Sequence, residues 1–75
     1  MLARKRSITV SGHRTSFSLE DIFFDDLCVL AKQTNLSVAM LVTKIDAQRP
    51  RNSNLSSAIR LYILAEAKAG NLKES

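Results

Sequence analysis

Several kinds of chemistry are excluded by what the chain has little of. It has a single cysteine, Cys28, so no intramolecular disulfide can form. It has a single histidine, His13, and with Cys28 that falls short of the roughly four ligands of a structural zinc site. There are only two glycines, Gly12 and Gly70, and no glycine-rich phosphate loop. The one proline, Pro50, allows long helices on either side of a single break. No apolar run approaches the ~20 residues of a membrane span. Ser, Thr, Gly and His after Arg6 interrupt any signal-peptide core, so a cytoplasmic protein is expected. No nucleophile sits beside a base, and no cofactor, catalytic residue or metal site is expected.

What is present is compact and basic. The 75 residues make one small domain, 1–75, with a net charge of +4. A chain this short buries only about 60% of its unfolded surface, so association with a second copy is expected to extend the core. Arg4, Lys5, Arg6 and Arg14 all precede the first acidic residue, Glu20. Such a basic segment is either a solvated tail or a contact for an anionic partner. Residues 1–6 are expected as an arm.

The stretch GHRTSFSLED alternates. Arg14, Ser16 and Ser18 point one way, Thr15, Phe17 and Leu19 the other, which predicts a strand over 14–18. Ile8 and Val10 share a face, and Ser11-Gly12 is a turn signal, so residues 7–13 either fold back as a hairpin or extend the strand with a kink. Ser18 with Asp21 three residues on predicts a capped helix over 19–34. Its apolar stripe is Phe23, Phe24, Leu27, Cys28, Leu30 and Ala31, while Ile22 and Val29 sit within the polar face and need a cover. Asn35 suits a left-handed turn. Ser37 caps a second helix, 37–47, with Val38, Leu41, Val42 and Ile45 on one face. A third helix, 54–69, begins at Asn54 and ends at Gly70-Asn71. It is apolar around most of its girth, which again predicts a partner, and it is a candidate cover for Ile22 and Val29.

Residues 14–46, RTSFSLEDIFFDDLCVLAKQTNLSVAMLV plus the rest of helix two, resemble the ribbon-helix-helix DNA-binding superfamily. The shared features are an alternating strand ending in Leu, an acidic first turn, Leu-x-x-Leu-Ala, the Thr34-Asn35 turn and Ser37 opening the second helix. KRSITVSGHRTSFSLED and NLSSAIRLYIL are similar to a subgroup of short bacterial members with an additional third helix. The resemblance implies a mostly α fold with a short β-ribbon, an intertwined homodimer and an extra C-terminal helix. In that family the strands of two chains pair into a ribbon that enters the major groove. The carried-over base contacts are Arg14, Ser16 and Ser18. The phosphate contacts are Leu36, Ser37 and Val38 at a helix N-terminus, helped by Arg4, Lys5 and Arg6. The dimer core is Phe17, Leu19, Phe23, Leu27, Leu30, Leu41, Val42, Ile45, Ile59, Tyr62 and Ile63. Two of the three ribbon positions are Ser, shorter than many members carry.

The expected function is therefore a dimeric transcriptional regulator on double-stranded DNA, cytoplasmic and nucleoid-associated, with dimer and tetramer on DNA both open. Two alternatives use the same fold: a protein-interaction module of antitoxin or adaptor type, and a non-specific nucleoid-type binder. Cys28, Phe23, Phe24 and Tyr62 read as core, and His13 as a turn residue.

Overall fold

The alternation around Phe17 is one half of a hairpin. The computed structural model describes residues 2–10 and 12–72. Strand β1, Ala3–Val10, pairs antiparallel with β2, His13–Glu20, and the register runs from Val10↔His13 at the turn through Ser7↔Ser16 to Ala3↔Glu20. Gly12 has φ 79°, a conformation that tight hairpin turns require and that glycine adopts without penalty. Three helices follow: α1 Asp21–Gln33, α2 Val38–Gln48 and α3 Leu55–Lys68.

Local chemistry sets the helix ends. Thr34, Asn35 and Leu36 close α1: Asn35 takes φ 60°, its amide donates to Lys32 O, and the Leu36 amide donates to Ala31 O at 2.9 Å. That pair of bonds is a Schellman motif. The same pattern ends α3, with Gly70 N bonded to Ala67 O and Asn71 N to Glu66 O. Ser37 Oγ caps α2 by accepting from the Met40 amide at 3.1 Å, and Asn54 Oδ1 caps α3 by accepting from the Ser57 amide at 3.3 Å. Between α2 and α3, Arg49 binds Asp46 Oδ1 and Ser53 O across the loop that holds Pro50.

The inner face of the hairpin lies on the helices. Phe17 and Leu19 from β2 meet Leu27, Leu30 and Ala31 of α1, Leu41, Val42 and Ile45 of α2, and Ile59 and Ile63 of α3. Ile8, Phe23, Phe24 and Tyr62 pack against this core and are partly exposed. Among the residues expected as a dimer core, all but Phe23 and Tyr62 are thus buried within one chain.

The structure corrects several expectations. Residues 3–6 are not an arm: they pair with Phe17–Glu20, because Ile8 and Val10 set the phase of a strand that runs back through the basic residues. The strand expected over 14–18 spans His13–Glu20. Ser18 does not cap α1: the ladder carries the chain two residues further, and Glu20 takes the N-cap position without a side-chain cap bond. Within this chain β2 already has one strand partner, β1. Helix α3 leaves Ile22 and Val29 uncovered, at 55% and 39% exposure, and its own Leu61 and Leu64 face outward at 66% and 49%.

Candidate nucleic-acid interface

Pairing and alternation together decide which hairpin side chains face away from the helices. On β2 these are Arg14, Ser16 and Ser18; opposite them in register stand Thr9, Ser7 and Lys5 of β1. All six are exposed and polar. The middle pair is tied by a hydrogen bond between Ser7 Oγ and Ser16 Oγ at 3.3 Å. Lys5 stands at the open end of the ribbon and Arg14 at the turn end, so each end of the polar face carries one cation.

The ribbon is held at both edges. On the β2 side, the Ser18 amide donates to Ser56 Oγ of α3 at 3.0 Å. That amide therefore points away from β1, and by the alternation of an antiparallel ladder so do those of Ser16 and Arg14. The Ser18 hydroxyl is left to the outer face. Just beyond, Arg60 of α3 forks onto Glu20: Nε donates to Oε1 at 2.9 Å and Nη2 to Oε2 at 3.1 Å. The Arg60 guanidinium holds the Glu20 carboxyl below its ordinary value of 4.5, chiefly through these bonds and with help from a backbone hydrogen bond. A carboxyl lowered on folding adds stability above the unfolded value, and that stability is lost as pH falls through the lowered one. Glu20→Gln is thus expected to flatten the acid limb of thermal stability below about pH 4.5; an unchanged profile would show that the pair contributes nothing.

On the β1 side, Thr9 and the α2 residues Ala39, Met40, Thr43 and Lys44 line a shallow groove. The first turn of α2 and the Lys44 ammonium thus stand beside the ribbon. The Met40 amide is capped by Ser37, while those of Val38 and Ala39 open the helix with no carbonyl one turn back to receive them. This is the geometry that favours an anion at a helix N-terminus.

The expected phosphate contacts are distributed differently. Leu36 is corrected: its amide is spent on Ala31 O in the Schellman motif. Arg6 is also corrected. It lies on the inner face, its side chain 17% exposed, with Nη2 2.6 Å from Asp21 Oδ1 and its guanidinium carbon 4.2 Å from the centre of the Phe24 ring. It is a packing residue that closes the lower edge of the core. Arg4 is on the same side but 68% exposed, with only a 3.7 Å approach to Asp21. Lys5 faces outward with the base-contact candidates. Ser7, Thr9 and Lys44 were missed; the alternation of Lys5, Ser7 and Thr9 against Arg6, Ile8 and Val10 was the available signal.

Elsewhere the chemistry is quiet. Burial, and secondarily Asp25, push the Cys28 thiol above its ordinary range, which disfavours the reactive thiolate. Among the described residues no group of three His, Cys, Asp or Glu side chains could hold a metal ion, and no helix is long and apolar enough to cross a membrane.

A two-stranded polar ribbon backed by capped helices, with a helix N-terminus beside it, defines a class of groove-binding proteins. The family profile described as "Ribbon-helix-helix domain" matches residues 3–67, and the chain belongs to that family. The family is one of DNA-binding regulators without enzymatic activity, whose domains bind DNA and dimerise. No curated protein matches the chain, and no solved structure does.

Proposed function

We propose that this chain is a sequence-reading transcriptional regulator that acts as a homodimer on double-stranded DNA and lays its hairpin in the major groove. The observation that carries this is the outer hairpin face: three successive outward pairs, Lys5 with Ser18, Ser7 with Ser16 and Thr9 with Arg14, are exposed and polar, beyond which Ala3 stands opposite Glu20 at the open end. A two-stranded ribbon matches the width of the major groove. Arg14 forks onto guanine, and the serine hydroxyls donate or accept at several base edges. The Val38 and Ala39 amides, Lys44 and Arg4 hold phosphates beside it. A second copy would cover exposed aliphatic side chains such as Ile22, Val29, Leu61 and Leu64.

Those same side chains favour a second reading, a surface for a different protein. The two are separated by mixing the purified chain with a genomic fragment library at low salt. Recovery of a discrete set of fragments supports the regulator; equal retention of all fragments supports a non-specific binder; retention of none would overturn DNA binding. Arg14→Ala is expected to weaken the preferred fragments by about 5- to 150-fold, the worth of one forked base contact of roughly 1–3 kcal/mol, while random duplex loses much less. An equal loss on both would make Arg14 a phosphate contact.

A further inference from the structure

The C-terminal ends of α1 and α3 line one cavity of about 480 Å³. Its walls include Leu30, Gln33 and Thr34 from the end of α1, and Tyr62, Glu66 and Asn71 from α3 and its closing turn. No lining residue belongs to β1 or β2, so the cavity is separate from the polar face of the hairpin. Its size falls within the roughly 300–1,000 Å³ of small-molecule sites, which combine apolar walls with a few convergent polar groups. The Schellman motifs that end both helices fix these walls through backbone bonds, so the cavity is formed before anything enters it.

The charge of the cavity has one sign. Glu66 is the one charged residue among the described lining residues, and no described Lys, Arg or His forms an ion pair with it. Asn71 Nδ2 donates to Glu66 Oε2 at 2.6 Å and orients the carboxylate. A carboxylate offers about four lone-pair sites, so acceptor capacity remains. Burial, and next the charge of Glu66, push the Tyr62 hydroxyl above its ordinary range, so it stays a neutral donor. Two helix C-termini add the partial negative charge of their macrodipoles. Lys32 and Lys68, in the last turns, are exposed and line no part of the cavity. We propose that this cavity binds a small primary ammonium ion with an apolar body, the ammonium on Glu66 and the body against Leu30 and the Tyr62 ring. The ring face also attracts the cation itself. An anion would meet Glu66 and both macrodipoles with the wrong sign.

The test is an NMR titration of the ¹⁵N-labelled full chain with 2-phenylethylammonium, with neutral 2-phenylethanol and anionic 3-phenylpropionate as controls. The ammonium probe is expected to shift the amides of Gln33, Thr34, Glu66, Gly70 and Asn71 saturably, in about the millimolar range for a ligand this small. The alcohol is expected to bind at least about fivefold more weakly, and the anion not at all. Glu66→Gln keeps an oxygen for Asn71 and removes the charge, and is expected to weaken the ammonium probe about 5- to 20-fold. Gln33→Lys sets a cation in the wall, at an exposed position near a helix C-terminus that suits lysine, and is expected to abolish binding. Circular dichroism checks that both variants are folded. Equal shifts from the three probes, an unchanged affinity in either variant, or no saturable shift at these amides would overturn the proposal. Each of those results leaves the DNA reading of the hairpin intact.

Discussion

Phe17→Ala is expected to remove a large part of the chain's stability and to lower its urea midpoint sharply. Phe17 is 4% exposed and stands where the hairpin meets all three helices. Truncating a buried Phe to Ala costs about 3–5 kcal/mol, from the lost transfer energy and the cavity left behind. A domain of this length has a total stability of only about 4–11 kcal/mol. Ser16→Ala, one residue away and on the opposite face, is expected to leave the unfolding midpoint nearly unchanged. Urea denaturation followed by circular dichroism checks both. Equal midpoints for the two variants would mean that the inner and outer faces of β2 are misassigned.

The second large effect is on salt dependence. Affinity for duplex DNA falls with a log–log slope of about −0.9 for each phosphate neutralised, because condensed counterions are released. With Arg4 and Lys44 on phosphates, the slope for one bound hairpin is about −2. Raising salt from 50 to 200 mM then weakens binding roughly 12-fold. A homodimer engaging two hairpins doubles the slope. Arg6→Ala is expected to leave the slope unchanged while lowering stability, since Arg6 is committed to Phe24 and Asp21. Fluorescence anisotropy at a series of salt concentrations measures this. A slope near zero would exclude the proposed interface.

Much of the fold was legible because its signals are local. Period-two alternation marked β2, and Ser37, Asn54, Asn35 and Gly70 marked helix ends through their own backbone preferences. The features that were not legible depend on a distant partner. Arg4, Lys5 and Arg6 look the same in a tail and in a strand; what makes them strand is pairing with residues eleven or more positions away. Ser18 carries a sound local cap signal, yet the ladder to Lys5 and the bond to Ser56 prevail over it.

The candidate site was legible on one strand only. The outward phase of Arg14, Ser16 and Ser18 follows from Phe17 and Leu19. The contribution of β1 follows from register, which cannot be deduced until the hairpin is known. The Arg6 role illustrates the difference. A run of three basic residues predicts one electrostatic purpose, but a strand splits it between two faces: Lys5 outward, Arg6 inward against an aromatic ring. Leu36 was misplaced for a related reason, since closing α1 uses the amide that opening α2 was expected to offer.

The proposed function sets the outer face of the hairpin against DNA. Titrating the ¹⁵N-labelled chain with a selected duplex, and following backbone amide shifts, tests it most directly. The largest changes are expected at Lys5, Ser7, Thr9, Arg14, Ser16 and Ser18, with a second cluster at Val38 and Ala39. Changes confined to α3 around Leu61 and Leu64, with the hairpin amides unmoved, would contradict it.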